Sequence, residues 1–389
     1  MRLPISLHAS LQFFRWSLAA FAGLGLCFAT AVQGQGNGGV IKVGEFASMT
    51  GGEASFGQMS HHGTELAMAE INEKGGVLGK KLELLMEDDQ SKQGEAKTCA
   101  QKLISRDGVV ALLGEVASGR SLEAAPICQR AKIPMISPSS TNPKVTATGN
   151  YIFRVCFIDP FQGSVMARFA ADTLKLKHVA VLTDEASAYS VGLADYFKLA
   201  FTGGGGEIVL EQKYTSGGKD FNAQLTAIKG KGAEAIFVPG YYNEAGLICR
   251  QARELGIKAP IFGGDGWESA KLVDIGGDAV EGTYFSTHFS PKQKSEVVES
   301  FSKKFEARYQ VAPDAMAALG YDSAMLLADA MKRAGTTEGA AVREALAATK
   351  DFPGVTGSIT MDKDRNASKP AVILKVTGGK FEFLQTINP

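Results

Sequence analysis

Apolar and polar positions along this chain follow two rhythms. Short apolar runs such as Val40–Phe46 (VIKVGEF) and Ala235–Pro239 recur between longer segments whose apolar residues fall at helical spacing. The first rhythm predicts strands and the second amphipathic helices. Strands are expected at Val40–Phe46, Lys81–Asp88, Val109–Leu113 and Ile133–Ile136, with helices over Gly57–Lys74, Gln93–Arg106 and Ser121–Ala131. Gly75-Gly76 and Gly108 supply helix stops. The pattern breaks at Tyr151–Phe157, and a fresh series begins at Phe161. Its strands are His178–Thr183, Glu207–Tyr214, Ala235–Pro239, Pro260–Gly263 and Gly282–Thr287. Between and around them lie helices Gln162–Leu176, Val191–Phe201, Phe221–Lys229, Glu244–Leu255 and Ser269–Ile275. From Ser295 the chain turns helical (Ser295–Tyr309, Ala315–Ala334, Glu338–Ala348) and then closes with strands Gly357–Met361, Ala371–Thr377 and Lys380–Thr386. Strands alternating with helices at this spacing pair in parallel through right-handed crossovers. The fold class is therefore α/β, with two α/β series.

Open α/β sheets bind small ligands at the carboxyl edge of their strands. In Ala111–Pro143 (ALLGEVASGRSLEAAPICQRAKIPMISPSSTNP), two strands are each followed by a loop of small hydroxyl residues: Ser118 and Ser121, then Ser139, Ser140 and Thr141. Hydroxyls and free N–H groups at a helix start suit an anion such as a carboxylate. The second series presents different chemistry at the same kind of position: Tyr189, Tyr241-Tyr242, and Asp265 followed by Trp267. One side suits a carboxylate and the other an ammonium, which is what a zwitterionic amino acid requires. Taken singly, each residue is also an ordinary cap, turn or packing residue. Their shared place at strand ends is what joins them.

Composition narrows the class. The 389 residues carry 41 basic and 41 acidic side chains, so no electrostatic footprint for nucleic acid appears. Residues 1–31 run from Arg2 and Arg15 into the nearly continuous apolar stretch Trp16–Ala31, ending Ala29-Thr30-Ala31. This reads as a cleaved secretory signal. Export permits disulfides, and Cys99 and Cys128, on helices flanking Val109–Leu113, are the expected pair. Cys156 and Cys249 sit among apolar residues as small hydrophobes. No Walker loop, H-E-x-x-H, nucleophile elbow or zinc spacing is present; His61-His62 point apart on a helix and His178 and His288 stand alone. No enzyme, cofactor or metal is expected.

The motifs EINEKGGVLGKKLEL, EVASGRS, SPSSTNP, AYSVG, VPGYYNEAG and FGGDGWES together resemble the leucine/isoleucine/valine-binding receptors of bacterial ABC importers, over nearly the whole chain after the signal. The resemblance implies a type I periplasmic binding protein: two lobes with parallel central sheets, joined by a three-segment hinge. Lobe one would hold 40–155 and 286–353, lobe two 156–285 and 354–389. It further implies a monomeric periplasmic receptor that hands an amino acid to permease subunits in the inner membrane. Ser118 and Thr141 would bind the ligand carboxylate, Ser139 would offer its carbonyl near the ammonium, and Asp265 would be the counter-ion. Tyr189 and Tyr241 would close from lobe two. Phe56 stands where relatives often carry a tyrosine over the ligand, and Ala117 where the well-known branched-chain receptor has a cysteine. Trp267 is a candidate wall for the side-chain pocket. Arg120 is a candidate contact for an acidic side chain, or else an ordinary salt-bridge residue. Branched aliphatic side chains are the first expectation; an amide, urea, an aromatic acid or an acidic amino acid is the alternative, as is a sensory ligand-binding subunit.

Overall fold

The computed structural model describes residues 39–388; the expected signal segment, 1–31, lies outside the described residues. The described residues begin with β1 (Ile41–Ala47), α1 (Ala54–Glu73), β2 (Leu82–Asp88), α2 (Glu95–Ser105), β3 (Leu112–Leu113), α3 (Ser118–Ala131), β4 (Met135–Ser137), α4 (Lys144–Ala147) and β5 (Ile152–Arg154). These strands form one parallel sheet in the order β2-β1-β3-β4-β5. The second series is α5 (Asp159–Arg168), β6 (His178–Asp184), α6 (Ala188–Gly203), β7 (Glu207–Tyr214), α7 (Asn222–Lys231), β8 (Ala235–Val238), α8 (Tyr242–Glu254), β9 (Ile261–Gly263), α9 (Ala270–Gly276) and β10 (Tyr284–Thr287). There follow α10 (Glu296–Tyr309), α11 (Ala315–Ala334), α12 (Gly339–Ala347), the hairpin β11 (Phe352–Gly354) and β12 (Gly357–Ile359), then β13 (Ala371–Thr377) and β14 (Lys380–Ile387). The second sheet runs β14-β13-β10-β9-β8-β6-β7. It is parallel from β10 to β7, whereas β13 and β14 add antiparallel at its far edge.

Two lobes follow from where these elements bury their apolar faces. Val43, Leu113 and Ile136 of the first sheet share a core with Phe301, Phe305, Leu319, Leu327 and Leu346 from α10–α12. Helices α1 and α11 approach closely because Gly63 and Gly320 face backbone: a Cβ at Gly63 would lie 1.9 Å from Ala317 O, and one at Gly320 2.2 Å from Ser60 O. Any larger residue at either position pushes the two helices apart. The other sheet is covered on one face by Phe221, Ile248 and Leu272, and on the other by Val165, Phe197 and Phe201.

The chain crosses between the lobes after β5, after β10 and before β13. The last crossing differs from expectation. Val355, Ile359, Met361 and Ala367 pack in the first lobe's core, so the return comes at Ala371 and not at 354. The apolar side chains of the β11–β12 hairpin and its exit find their burial against α11 and α12, which holds that stretch in the first lobe. Thr287 likewise still pairs with β13, so the middle crossing falls just after it. The expected Cys99–Cys128 bridge is absent: among the described residues all four cysteines are free and buried. Both sit in the cluster between α2, α3 and the sheet, and Cys99 Sγ lies 3.7 Å from Asp88 O as a weak donor. Neighbouring helices alone do not aim two Cβ atoms at each other.

Candidate functional site

The strand-end loops of the two lobes face one another. The Ser139 hydroxyl, after β4, lies 3.5 Å from Asp265 Oδ2, after β9. Asn142 Nδ2 donates to Ala188 O at 2.7 Å at one side of this junction. At the other side the Tyr242 hydroxyl donates to Gly52 O at 2.8 Å, joined by Asn243 Nδ2, and the Ser55 and Ser269 hydroxyls meet at 2.7 Å. The lobes are thus closed on each other, with Ser139 and Asp265 in the seam.

On the first lobe, Ser118 opens α3, with Ala117 as its N-cap. Ser118 Oγ accepts the Asn142 N–H at 3.2 Å, which ties the helix start to the Ser139–Asn142 loop. Thr141 Oγ1 is buried with no hydrogen-bond partner among the described residues. On the second lobe, Asp265 is buried and accepts from Gln162 Nε2 at 2.8 Å, while its Oδ2 lies 3.1 Å from His288 Nε2. Burial holds His288 below its ordinary value, against the pull of Asp265. The ring stacks on Phe157 with centroids 3.7 Å apart. Tyr189 stacks on Tyr241 (5.2 Å, 8°), and its hydroxyl oxygen accepts the Gly266 N–H at 3.1 Å. Phe56, from α1, meets Tyr241 and Tyr242 edge-on at 5.7 and 4.8 Å.

Two α/β lobes closed on each other, with hydroxyl loops on one and a carboxylate and aromatics on the other, are compatible with a solute receptor. The profile of the periplasmic binding protein family matches residues 40–380. The chain belongs to that family. Among its relatives is the Leu/Ile/Val-binding protein homolog 3 of Brucella melitensis, 32% identical over 348 residues, covering 89% of this chain and 94% of the relative. A crystal structure of a leucine-binding protein from Thermotoga maritima superposes with a TM-score of 0.87 at 42% identity, covering 90% of this chain and 99% of the other. A branched-chain amino acid transporter substrate-binding protein from Streptococcus pneumoniae, solved with isoleucine, gives 0.86 at 37%, covering 90% and 100%.

Three further candidate residues are engaged with the protein itself. Trp267 is fully buried: a short 3-10 turn (Asp265–Trp267) carries its ring against Phe285, and Nε1 donates to Val238 O at 2.9 Å. Arg120 resolves as a salt-bridge residue, 2.6 Å from Glu53 Oε2 and 3.5 Å from buried Asp89. Ala117 contributes through its backbone, donating to Glu115 Oε2 at 2.5 Å. Glu115, fully buried, is pushed up to about 8 by burial, with Asp89 adding to the rise and Arg120 opposing it.

The binding protein also holds seam residues that the sequence reading passed over. Asp159, the first residue of α5, has both carboxylate oxygens buried and unpartnered among the described residues. Burial pushes its carboxyl up to about 8. Helix α6 comes close to it at Gly192, where a Cβ would lie 3.1 Å from Asp159 Oδ2 and 2.8 Å from Asn142 Nδ2. Asp159-Pro160 reads as an ordinary helix entry, so its burial had no local signal. Gln162 and His288 lie far from Asp265 in sequence and meet it only through the fold.

Proposed function

We propose that this binding protein is an extracytoplasmic receptor of an ABC importer that closes on an α-amino acid, with a branched aliphatic side chain as first candidate. The observation that carries the reading is the Ser139–Asp265 approach across the seam, which brings a hydroxyl loop and a helix start against a buried carboxylate. In this reading the first turn of α3, Ser118 and Thr141 take the ligand carboxylate. Asp265 takes the ammonium, with the unpartnered oxygens of Thr141 and Asp159 as further acceptors. A primary ammonium brings three N–H donors and needs acceptors of this kind. An aromatic acid brings none, and would leave these oxygens without a donor. Phe56 and the stacked Tyr189–Tyr241 pair supply apolar surface for the side chain.

No covalent step is called for. A ligand that touches both lobes binds the closed form better than the open one and shifts the equilibrium by that difference. Export and delivery to inner-membrane permeases follow the family's way of working. Refolded protein, freed of carried-over solute, should be screened by thermal shift against the amino acids, simple carboxylates and amides. Leucine, isoleucine or valine should raise the melting temperature most. Stabilisation by benzoate or urea with none by any amino acid would refute the reading.

A further inference from the structure

We propose that Arg154 is a positioning residue that sets the Ser139–Asn142 loop for a ligand carboxylate; this deepens the reading above and rests on it. Arg154 ends β5 and is fully buried. Its guanidinium donates to Ser140 O, to Asn142 O at 2.9 Å and to Thr146 Oγ1 at 3.2 Å. None of these acceptors is a carboxylate, and Nε is buried without a partner among the described residues. A buried cation held by neutral acceptors alone is costly, so its charge asks for a use. Two carboxyls, Asp159 and Asp362, act on it through space, and Asp159 is not hydrogen-bonded to it.

Peptide geometry supplies the use. In a trans peptide the C=O and N–H point in opposite directions. Holding Ser140 C=O toward the guanidinium therefore turns the Thr141 N–H the other way. Cys156 Sγ reinforces the same carbonyl at 3.5 Å, and the Asn142 N–H to Ser118 Oγ at 3.2 Å fastens the far end of the loop to α3. The loop thus has its peptide dipoles aligned by a positive charge behind them, an arrangement that favours an anion in front. Arginine's planar fork reaches both carbonyls at once, which a lysine ammonium does less well.

Arg154 also ties down the hinge, since its N–H meets Arg365 O at 3.4 Å and Thr146 Oγ1 meets Asn366 Oδ1 at 3.0 Å. A purely structural role would weaken every ligand alike. The test is calorimetric titration of wild type, Arg154→Gln and Arg154→Lys with leucine and, by competition, leucinamide, which keeps the ammonium and side chain but lacks the carboxylate. Leucine should weaken by about tenfold or more in Arg154→Gln while leucinamide moves by less than about threefold, with Arg154→Lys in between. Parallel losses for both ligands overturn the inference. Should Arg154→Gln fail to fold by circular dichroism, the same comparison is made with Arg154→Lys. Wild-type binding of benzoate but no amino acid would refute the proposed function and move the Arg154 comparison to benzoate against benzamide. Binding of no carboxylate at all would overturn both.

Discussion

Asp265 offers the sharpest check on the proposed clamp. Its carboxylate has room for about four hydrogen bonds. Gln162 Nε2 at 2.8 Å, His288 Nε2 at 3.1 Å and Ser139 Oγ at 3.5 Å leave one strong position and one long contact for an incoming ammonium. Asp265→Ala removes the counter-charge of a desolvated cation, a loss of about 2–4 kcal/mol, or roughly 30- to 1000-fold in Kd. Asp265→Asn should do little better. It keeps the shape between Gln162 and His288 but removes the negative charge that a desolvated ammonium needs. Folding suffers less than binding, because Gln162 keeps its bond to Ser286 Oγ at 3.0 Å, while His288 and, at long range, the Ser139 hydroxyl lose a partner. That should lower stability by about 1–3 kcal/mol, a shift of a few degrees. The assay is calorimetry with leucine and with its 2-hydroxy analogue, which lacks the ammonium. Leucine should weaken by the full amount and the hydroxy acid hardly at all. Unchanged leucine affinity, or equal losses for the two ligands, would refute the assignment.

Other outcomes follow from the same structure. Burial holds Glu115, Asp159 and Glu268 at about 8 and Asp314 at about 7, above ordinary carboxyl values, so the folded protein keeps protons that the unfolded chain releases. That stability is complete below the unfolded values and is lost as pH rises through 7–8; thermal melts should therefore show a lower melting temperature at about pH 8.5 than at about pH 5.5, and Asp159→Asn should shrink the difference. Arg120→Met leaves Asp89 and Glu53 without their cation and should cost about 3–5 kcal/mol in denaturant unfolding, with glutamate binding no worse affected than leucine binding. Tyr242→Phe removes the bond to Gly52 O, which should weaken every ligand by about 1 kcal/mol, roughly fivefold, as read by calorimetry. Thiol titration of the unfolded, unreduced chain should find Cys99 and Cys128 both reactive, whereas both should be silent in the folded protein.

Local pattern carried much of the fold. Ala315–Ala334, Glu207–Tyr214 and Ala371–Thr377 have the same limits in the structure as their periodicity predicts, because each is long enough for its rhythm to be unambiguous. β5 carries no clear strand signal because Arg154 interrupts the apolar run IFRVCF, and only its buried acceptors explain a guanidinium there. The last crossing was equally invisible: whether Val355 and Ile359 bury against one lobe or the other is decided by partners far away in the chain. Strand ends showed where Ser118, Ser139, Thr141, Tyr189, Tyr241 and Asp265 would gather. They did not show side-chain direction, which is why Trp267 belongs to the core and Arg120 to a salt bridge. Asp159, Gln162 and His288 enter the seam from the start of α5 and from the residue after β10, positions with no chemical signature in one dimension.

The bonds that Gly52 and Ser55 make with Tyr242, Asn243 and Ser269 have a consequence for timing. They hold the two halves shut through groups other than those proposed to bind the guest, so they should lengthen the stay of every solute by a similar factor and favour none. A receptor built this way sets its choice of cargo and its rate of letting go in separate places. Trimming those few bonds should yield a faster-exchanging protein with its preferences unaltered.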